Sequence, residues 1–439
     1  MKKILLFVFL ILGVVILLQW QSGLAIGSRV LFCESVIVKA MNLQGKRVSV
    51  EQIRESVLLK KEEERMREEF LDSCIEEMTM DQKLSQLMIL TNEKDITEQN
   101  LRQFQPGGII FFGVDFNGKT KEMVSQRVNT LQSFMKYPLL VGVDEEGGEV
   151  SRISGLLDEG IPVFKSAREL GDAKDWGAVK EETVTKAELL QSMGINVNFD
   201  PVADVVTKKS AYMYKRSAGG DAGIVSEYVK SVTETMGEEN VISCLKHFPG
   251  YGNNGNTHRS YIQDSRSMDS YKNTDFIPFE TGIQAGADMV MVSHLVMGAV
   301  DKERPASLSA KVHELLRSDF GFDGVMIADD LNMQAVLSQM TLEEASGAAL
   351  AAGNDMIFSA DFAASLSGAK KALQDGRITE EQINASIKRV LKMKMKHNLI
   401  TTNGRIFDER DIRRMEVQAL PLGSLFRANS PHGNQFYRT

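Results

Sequence analysis

Val241-Ile242-Ser243-Cys244-Leu245-Lys246-His247-Phe248-Pro249-Gly250-Tyr251-Gly252-Asn253-Asn254-Gly255-Asn256-Thr257-His258 begins as a strand and ends as a loop. Its first five residues are a short run suited to burial, and Lys246-His247 places two polar side chains where that strand runs out. The Pro, Gly and Asn residues that follow cannot pack as core, and the loop they form carries a second histidine. Polar groups at a strand's carboxyl end, followed by a glycine-rich loop, are what a sugar or phosphate site needs.

The same rhythm repeats along the chain. Short apolar runs at 87–90, 108–112, 139–143, 197–199, 241–245, 288–292, 324–328 and 355–358 alternate with longer amphipathic stretches. Near-continuous apolar character predicts parallel strands covered on both faces. This pattern alone also admits a doubly wound open sheet. The count of eight, and the polar residues at the run ends, select a single (β/α)8 barrel of the TIM type. Those ends are Asp144-Glu145-Glu146-Gly147-Gly148 with Arg152, Asn198 to Asp204, Lys246-His247, Ser293-His294 and Asp329-Asp330. Each alone could be a helix cap or an ion pair; together they predict one catalytic rim.

The chain has 439 residues, enough for one barrel of about 250 residues and more. Net charge is −8 and no basic stripe is interleaved with aromatics, which argues against nucleic-acid binding. Cys33, Cys74 and Cys244 are odd in number and lack CxxC spacing, so no disulfide framework is expected. Met1-Lys2-Lys3 followed by apolar Ile4 to Leu18 reads as a signal peptide or membrane anchor over residues 1–25, either cleaved or retained. Both outcomes place the barrel outside the cytoplasm. Residues 26–69 form a charged linker or helical stalk, 70–400 the barrel, and 401–439 a polar tail.

The stretch Lys246-His247-Phe248-Pro249-Gly250, with His258 beyond it, resembles the signature of glycoside hydrolase family 3, in its β-N-acetylhexosaminidase branch. That signature continues through Gly to Asp-Ser/Thr-His; here Asn256 stands in place of the aspartate. Asp144-Glu145-Glu146-Gly147-Gly148-Glu149-Val150-Ser151-Arg152 is similar to the family's Asp-Gln-Glu-Gly-Gly-x-Val-x-Arg, with Glu145 replacing glutamine. Asn198 to Asp204, Lys215-Arg216-Ser217, Pro305 to Ser309, Gly324 to Met333 and Ala352 to Met356 carry the resemblance further, from about Phe70 to Ile400.

The resemblance implies a retaining β-N-acetylhexosaminidase that removes terminal N-acetylglucosamine from cell-wall fragments or chitooligosaccharides. It makes Asp329 the nucleophile, His258 the acid/base and position 256 the partner of that histidine. Asp144, Arg152, Asp204, Arg216, Lys246, His247 and His294 would surround the sugar, and His294 could equally be a satisfied structural histidine. Asp330, next on the strand, should face away and act as a cap. Lys246 and His247 are adjacent, so their side chains should diverge unless the strand has ended. Larger β-glucosidases of the family take their acid/base from a second domain, for which residues 398–439 are too few. No metal or organic cofactor is implied, because the Asp, Glu and His residues lie on different strands without compact ligand spacing. An exported sugar-binding or cell-wall-sensing protein, with catalysis impaired by Asn256, is the alternative reading.

Overall fold

The computed structural model describes residues 50–400. The expected signal segment, the first part of the linker and the carboxyl-terminal tail lie outside the described residues. A helix, Val50–Glu76, occupies the charged stretch, and on its exposed surface Arg65 pairs with Glu62 and Glu69. A compact unit begins at Leu71. Among the described residues, no helix is long and apolar enough to cross a membrane.

Eight parallel strands close into a barrel: β1 (Met88–Leu90), β2 (Gly108–Phe111), β3 (Leu140–Val143), β4 (Val197–Asn198), β5 (Ile242–Phe248), β7 (Met289–Val292), β9 (Val325–Ala328) and β10 (Met356–Ser359), with β1 hydrogen-bonded to β10. The two strands outside this count, β6 (Ile262–Asp264) and β8 (Leu295–Met297), pair in parallel with each other beyond the carboxyl ends of β5 and β7. The open-sheet alternative is thereby excluded, and the eight apolar runs each supply one barrel strand.

Strand alternation sorts the core into two layers. Ile242 and Cys244 of β5, Met289 and Met291 of β7, and Val325 and Ile327 of β9 fill the barrel interior. Leu245, Val290, Val292 and Met326 face outward against the helices, among them Ala222–Glu238 and Phe276–Gln284. Cys244 is interior filler, its thiol pushed up by burial. Cys74 is also buried, and neither forms a disulfide.

The same parity continues past the apolar residues and positions the site. Counting by twos, Asp144 follows the interior face of β3, Lys246 that of β5, and Asp329 that of β9. A strand whose lower half fills the core thus presents its next inward side chain to the barrel mouth.

Candidate active site

Lys246 is 1% exposed and joins two carboxylates at the mouth. Its ammonium lies 2.7 Å from Asp144 Oδ1 and 2.6 Å from Glu146 Oε1. Arg216 grips Glu146 from the other side with two parallel bonds, Nε to Oε2 at 2.8 Å and an Nη to Oε1 at 2.7 Å. Burial opposes the charge on Glu146, but Arg216 and Lys246 outweigh it and hold the carboxyl far below its ordinary range. Burial likewise disfavours charge on Lys246, yet Asp144 and Glu146 raise its pKa.

Both residues of the Lys246-His247 pair enter this cluster, contrary to the expected divergence. The ladder between β5 and β7 shifts register between Lys246 and Phe248, and the Lys246–His247 peptide is cis. β5 also continues three residues beyond the predicted end at Leu245. His247 Nδ1 faces Asp204 Oδ2 at 2.9 Å, while an Arg216 Nη sits 3.4 Å from Nε2. A carboxylate can only accept and a guanidinium only donate, so Nδ1 carries the proton. Asp204 is fixed in turn by the Tyr251 amide at 2.7 Å, and its carbonyl accepts the Ser217 hydroxyl at 2.6 Å.

Arg152 reaches towards Asp144 Oδ2 at 3.7 Å. Its Nε is buried without a hydrogen-bond partner among the described residues. The turn before it depends on Gly147 and Gly148, whose φ values of 89° and 58° suit glycine. A Cβ at Gly147 would also lie 2.2 Å from the Lys165 carbonyl oxygen.

Asp329 follows directly on β9, with its amide bonded to the Val292 carbonyl. Its Oδ1 accepts the Asp330 amide at 2.8 Å, the one hydrogen bond its carboxylate makes among the described residues. Burial pushes this carboxyl up, but the imidazoles of His294, His247 and His258 and the Asp330 amide bring it below its ordinary value. Asp330 turns away and caps the chain at Asn332 N, 2.9 Å, and burial raises its pKa. The His294 Nε2–H donates to the Asp330 carbonyl at 2.9 Å, so its Nδ1 accepts from Ser307 Oγ at 2.6 Å. With both nitrogens engaged and the residue fully buried, His294 holds backbone beneath Asp329.

His258 stands exposed on the loop between β5 and β6. Asn256 Oδ1 is 2.9 Å from both the His258 backbone nitrogen and its Nδ1. Desolvation lowers the ring's pKa first, and His247 and Arg216 add to this against the opposing Asp329 and Asp330. The loop is held along its length. Asn253 Oδ1 accepts the Thr207 and Lys208 amides, Tyr251 and Thr257 share a hydroxyl bond, and the Ala335 amide donates to the Thr257 carbonyl at 3.1 Å.

Among the described residues no group of acidic, His or Cys side chains could hold a metal ion. A cavity of about 310 Å³ beside His313, Arg317 and Asp355 lies at the amino ends of the strands, remote from this cluster.

The glycosyl hydrolase family 3 N-terminal domain matches residues 79–393. The chain belongs to glycosyl hydrolase family 3. It is a glycoside hydrolase on a single (β/α)8 barrel. Among its relatives, a β-hexosaminidase of Chromobacterium violaceum is 31% identical over 260 residues, 57% of this chain and 71% of that protein. The β-hexosaminidase LpqI of Mycobacterium tuberculosis is 30% identical over 329 residues, 71% and 82% of the two chains. A family 3 β-N-acetylglucosaminidase from a Paenibacillus strain superposes with TM-score 0.69 at 29% identity, covering 73% of this chain and 63% of that one. The M. tuberculosis LpqI structure gives 0.66 at 28% identity, covering 72% and 94%.

The sequence reading placed Asp144, Arg152, Asp204, Arg216, Lys246 and His247 in the site, and the fold brings them together. It missed Glu146, the carboxylate shared by Lys246 and Arg216. The signal was available, since Glu146 sits in the same acidic turn as Asp144, but a run of carboxylates before glycines reads equally as solvated capping. Tyr212 and Tyr251 were also missed; Arg216 donates to the Tyr212 hydroxyl at 3.3 Å, and Tyr251 packs edge-on against His247.

Proposed function

We propose that the protein is a retaining β-N-acetylhexosaminidase, hydrolysing terminal N-acetylglucosamine from cell-wall fragments or chitooligosaccharides after export from the cytoplasm. The Chromobacterium and mycobacterial relatives are named β-hexosaminidases, and the Paenibacillus neighbour a β-N-acetylglucosaminidase. The observation that carries the reading is Asp329: an ionised carboxylate on the interior face of β9, surrounded by three imidazoles, with a single hydrogen bond to its own neighbour's amide.

In the first step Asp329 attacks the anomeric carbon, and the bond to the leaving oxygen breaks. Protonated His258 gives its Nε2 proton to that oxygen. In the second, His258 Nε2 takes a proton from water, whose oxygen attacks the anomeric carbon and releases Asp329 with configuration retained. The Asn256 contact supports this division of labour. An oxygen that accepts the His258 backbone N–H must accept from Nδ1 as well, so the neutral ring carries its proton on Nδ1 and leaves Nε2 free. Lys246, Arg152 and Arg216, with Asp144, Glu146 and Asp204 between them, offer fixed donors and acceptors to the sugar hydroxyls.

Nitrophenol release by the purified protein tests the assignment. The N-acetyl-β-glucosaminide should be hydrolysed well ahead of the β-glucoside. Equal or reversed preference removes the hexosaminidase reading. N-acetylglucosamine binding without hydrolysis of either substrate supports the sensor alternative, which Asn256 keeps open.

A further inference from the structure

Glu145 is fully buried behind the site, and one of its oxygens organises the turn that carries Arg152. Oε2 accepts the Arg152 amide at 2.8 Å, the Ile153 amide at 3.3 Å and the Ser151 hydroxyl at 3.2 Å. Its backbone is clamped on both sides by the Asn198 carboxamide of β4, at 2.9 and 3.0 Å. The other carboxyl oxygen, Oε1, is buried with no hydrogen-bond partner.

We propose that Glu145 is a positioning residue for sugar binding: its carboxylate fixes the Ser151–Ile153 turn and so sets Arg152 opposite Asp144 at the mouth. This rests on the glycosidase reading of that mouth. Three donors converging on one oxygen need a strong acceptor, and an ionised carboxylate is a stronger one than a neutral carboxyl or a carboxamide. The Arg152 guanidinium lies 3.7 Å from Asp144 Oδ2, and that placement is set by where this turn holds the Arg152 backbone.

The arrangement also makes sugar affinity pH-sensitive. Burial raises the Glu145 pKa, opposed by the Lys186 ammonium from the helix Trp176–Ser192 and by the three turn donors. Lys186 is shared, since it also lies 3.8 Å from Asp200 at the end of β4, so Glu145 does not hold it alone. Asp144 and Glu146 flank it in the chain. As pH falls, Glu145 takes a proton earlier than an ordinary glutamate, its hold on the turn slackens, and Arg152 loses its set position.

Glu145→Gln keeps the shape and removes the titration. Steady-state kinetics of both proteins across the acid range should show KM of the wild type rising several-fold relative to the variant's flat profile, with kcat ratios unchanged. Ser151→Ala, which weakens the hold from the donor side, should raise KM in the same direction. In an Arg152→Ala background the Glu145→Gln effect on KM should vanish, because the two act through one contact. Coincident KM–pH profiles, an effect on kcat alone, or an undiminished effect without Arg152 would overturn the proposal. If the wild type proves inactive, the hydrolase reading fails separately, and the same comparison is made on N-acetylglucosamine dissociation constants with the same outcomes deciding it.

Discussion

Asn256 Oδ1 contacts His258 twice, at its backbone nitrogen and at its ring Nδ1, each at 2.9 Å. The contact gives the imidazole the tautomer an acid/base needs but supplies no negative charge to stabilise its protonated form. The amide at this position therefore preserves geometry and withholds electrostatics.

Restoring the charge should show this directly. General acid catalysis contributes about 10²–10⁴-fold, and an unsupported imidazolium forfeits part of that. Asn256→Asp should raise disaccharide turnover by more than nitrophenyl glycoside turnover, because nitrophenol leaves with little protonation. Unchanged rates on both substrates would mean that the loop does not work as a histidine–carboxylate pair.

The pH profile follows from the same contact. His258 must be protonated to donate, and its pKa is lowered by desolvation and by the neighbouring His247 and Arg216. Disaccharide turnover should thus fall as pH rises through a value below the usual 6.5 of histidine, giving an acidic optimum. Asp329, whose pKa is depressed, stays ionised into the acid range and sets the opposite limb. Asn256→Asp should move the alkaline limb upward; a limb that stays in place contradicts the assignment of His258.

Asp329→Asn should abolish turnover while N-acetylglucosamine binding persists, since an amide cannot form the glycosyl ester. Calorimetric binding beside a null rate is the expected pair of results. Hydrolysis at the wild-type rate would remove Asp329 from the mechanism.

Glu146→Gln tests the buried charge network. It leaves Arg216 and Lys246 facing a neutral amide in a nearly closed site, and breaking a buried pair costs about 3–5 kcal/mol. Urea unfolding should show a loss of that order together with a raised KM. A change confined to kcat would contradict the sugar-holding role.

How far the sequence foretold these features varied with the physics of each. The apolar runs announced parallel strands because strands buried on both faces have little choice of composition, and the count of eight with the polar residues at the run ends selected the barrel. β6 and β8 went unforeseen: Ile262-Gln263-Asp264 is partly exposed and has no apolar run to mark it, and the buried Leu295-Val296-Met297 follows so soon after β7 that it does not stand out as a separate strand. The family resemblance, not parity, singled out Asp329; parity along β9 predicted only that Asp330 would turn aside to cap, as it does at Asn332 N. Along β5 the resemblance placed both Lys246 and His247 at the sugar, while parity alone would have separated the two adjacent side chains; they come together where the ladder slips register. Glu146 was hidden because its partners, Lys246 and Arg216, lie 100 and 70 residues away, and only folding shows that one carboxylate serves both.

Lys394 offers a stability test independent of the active site. It is fully buried at the floor of the barrel, its ammonium 3.2 Å from Gln86 Oε1, and desolvation alone lowers its pKa to about 7. Between that value and the ordinary 10.5 the unfolded chain binds a proton the native chain does not. Lys394 should therefore cost stability progressively as pH falls from about 10 to 7, each unit of depression being worth about 1.4 kcal/mol, and add nothing further below 7. The stability gap between Lys394→Met and wild type should widen over that window and then stay constant. A gap independent of pH would show that the lysine is charged in the fold.

Double displacement at N-acetylglucosamine is tested most directly by the anomeric configuration of the first sugar released. Proton NMR during early turnover of a β-linked N-acetylglucosaminide should show the β-anomer appearing first and mutarotating afterwards. First appearance of the α-anomer would contradict the account, since a single displacement by water requires no glycosyl ester on Asp329.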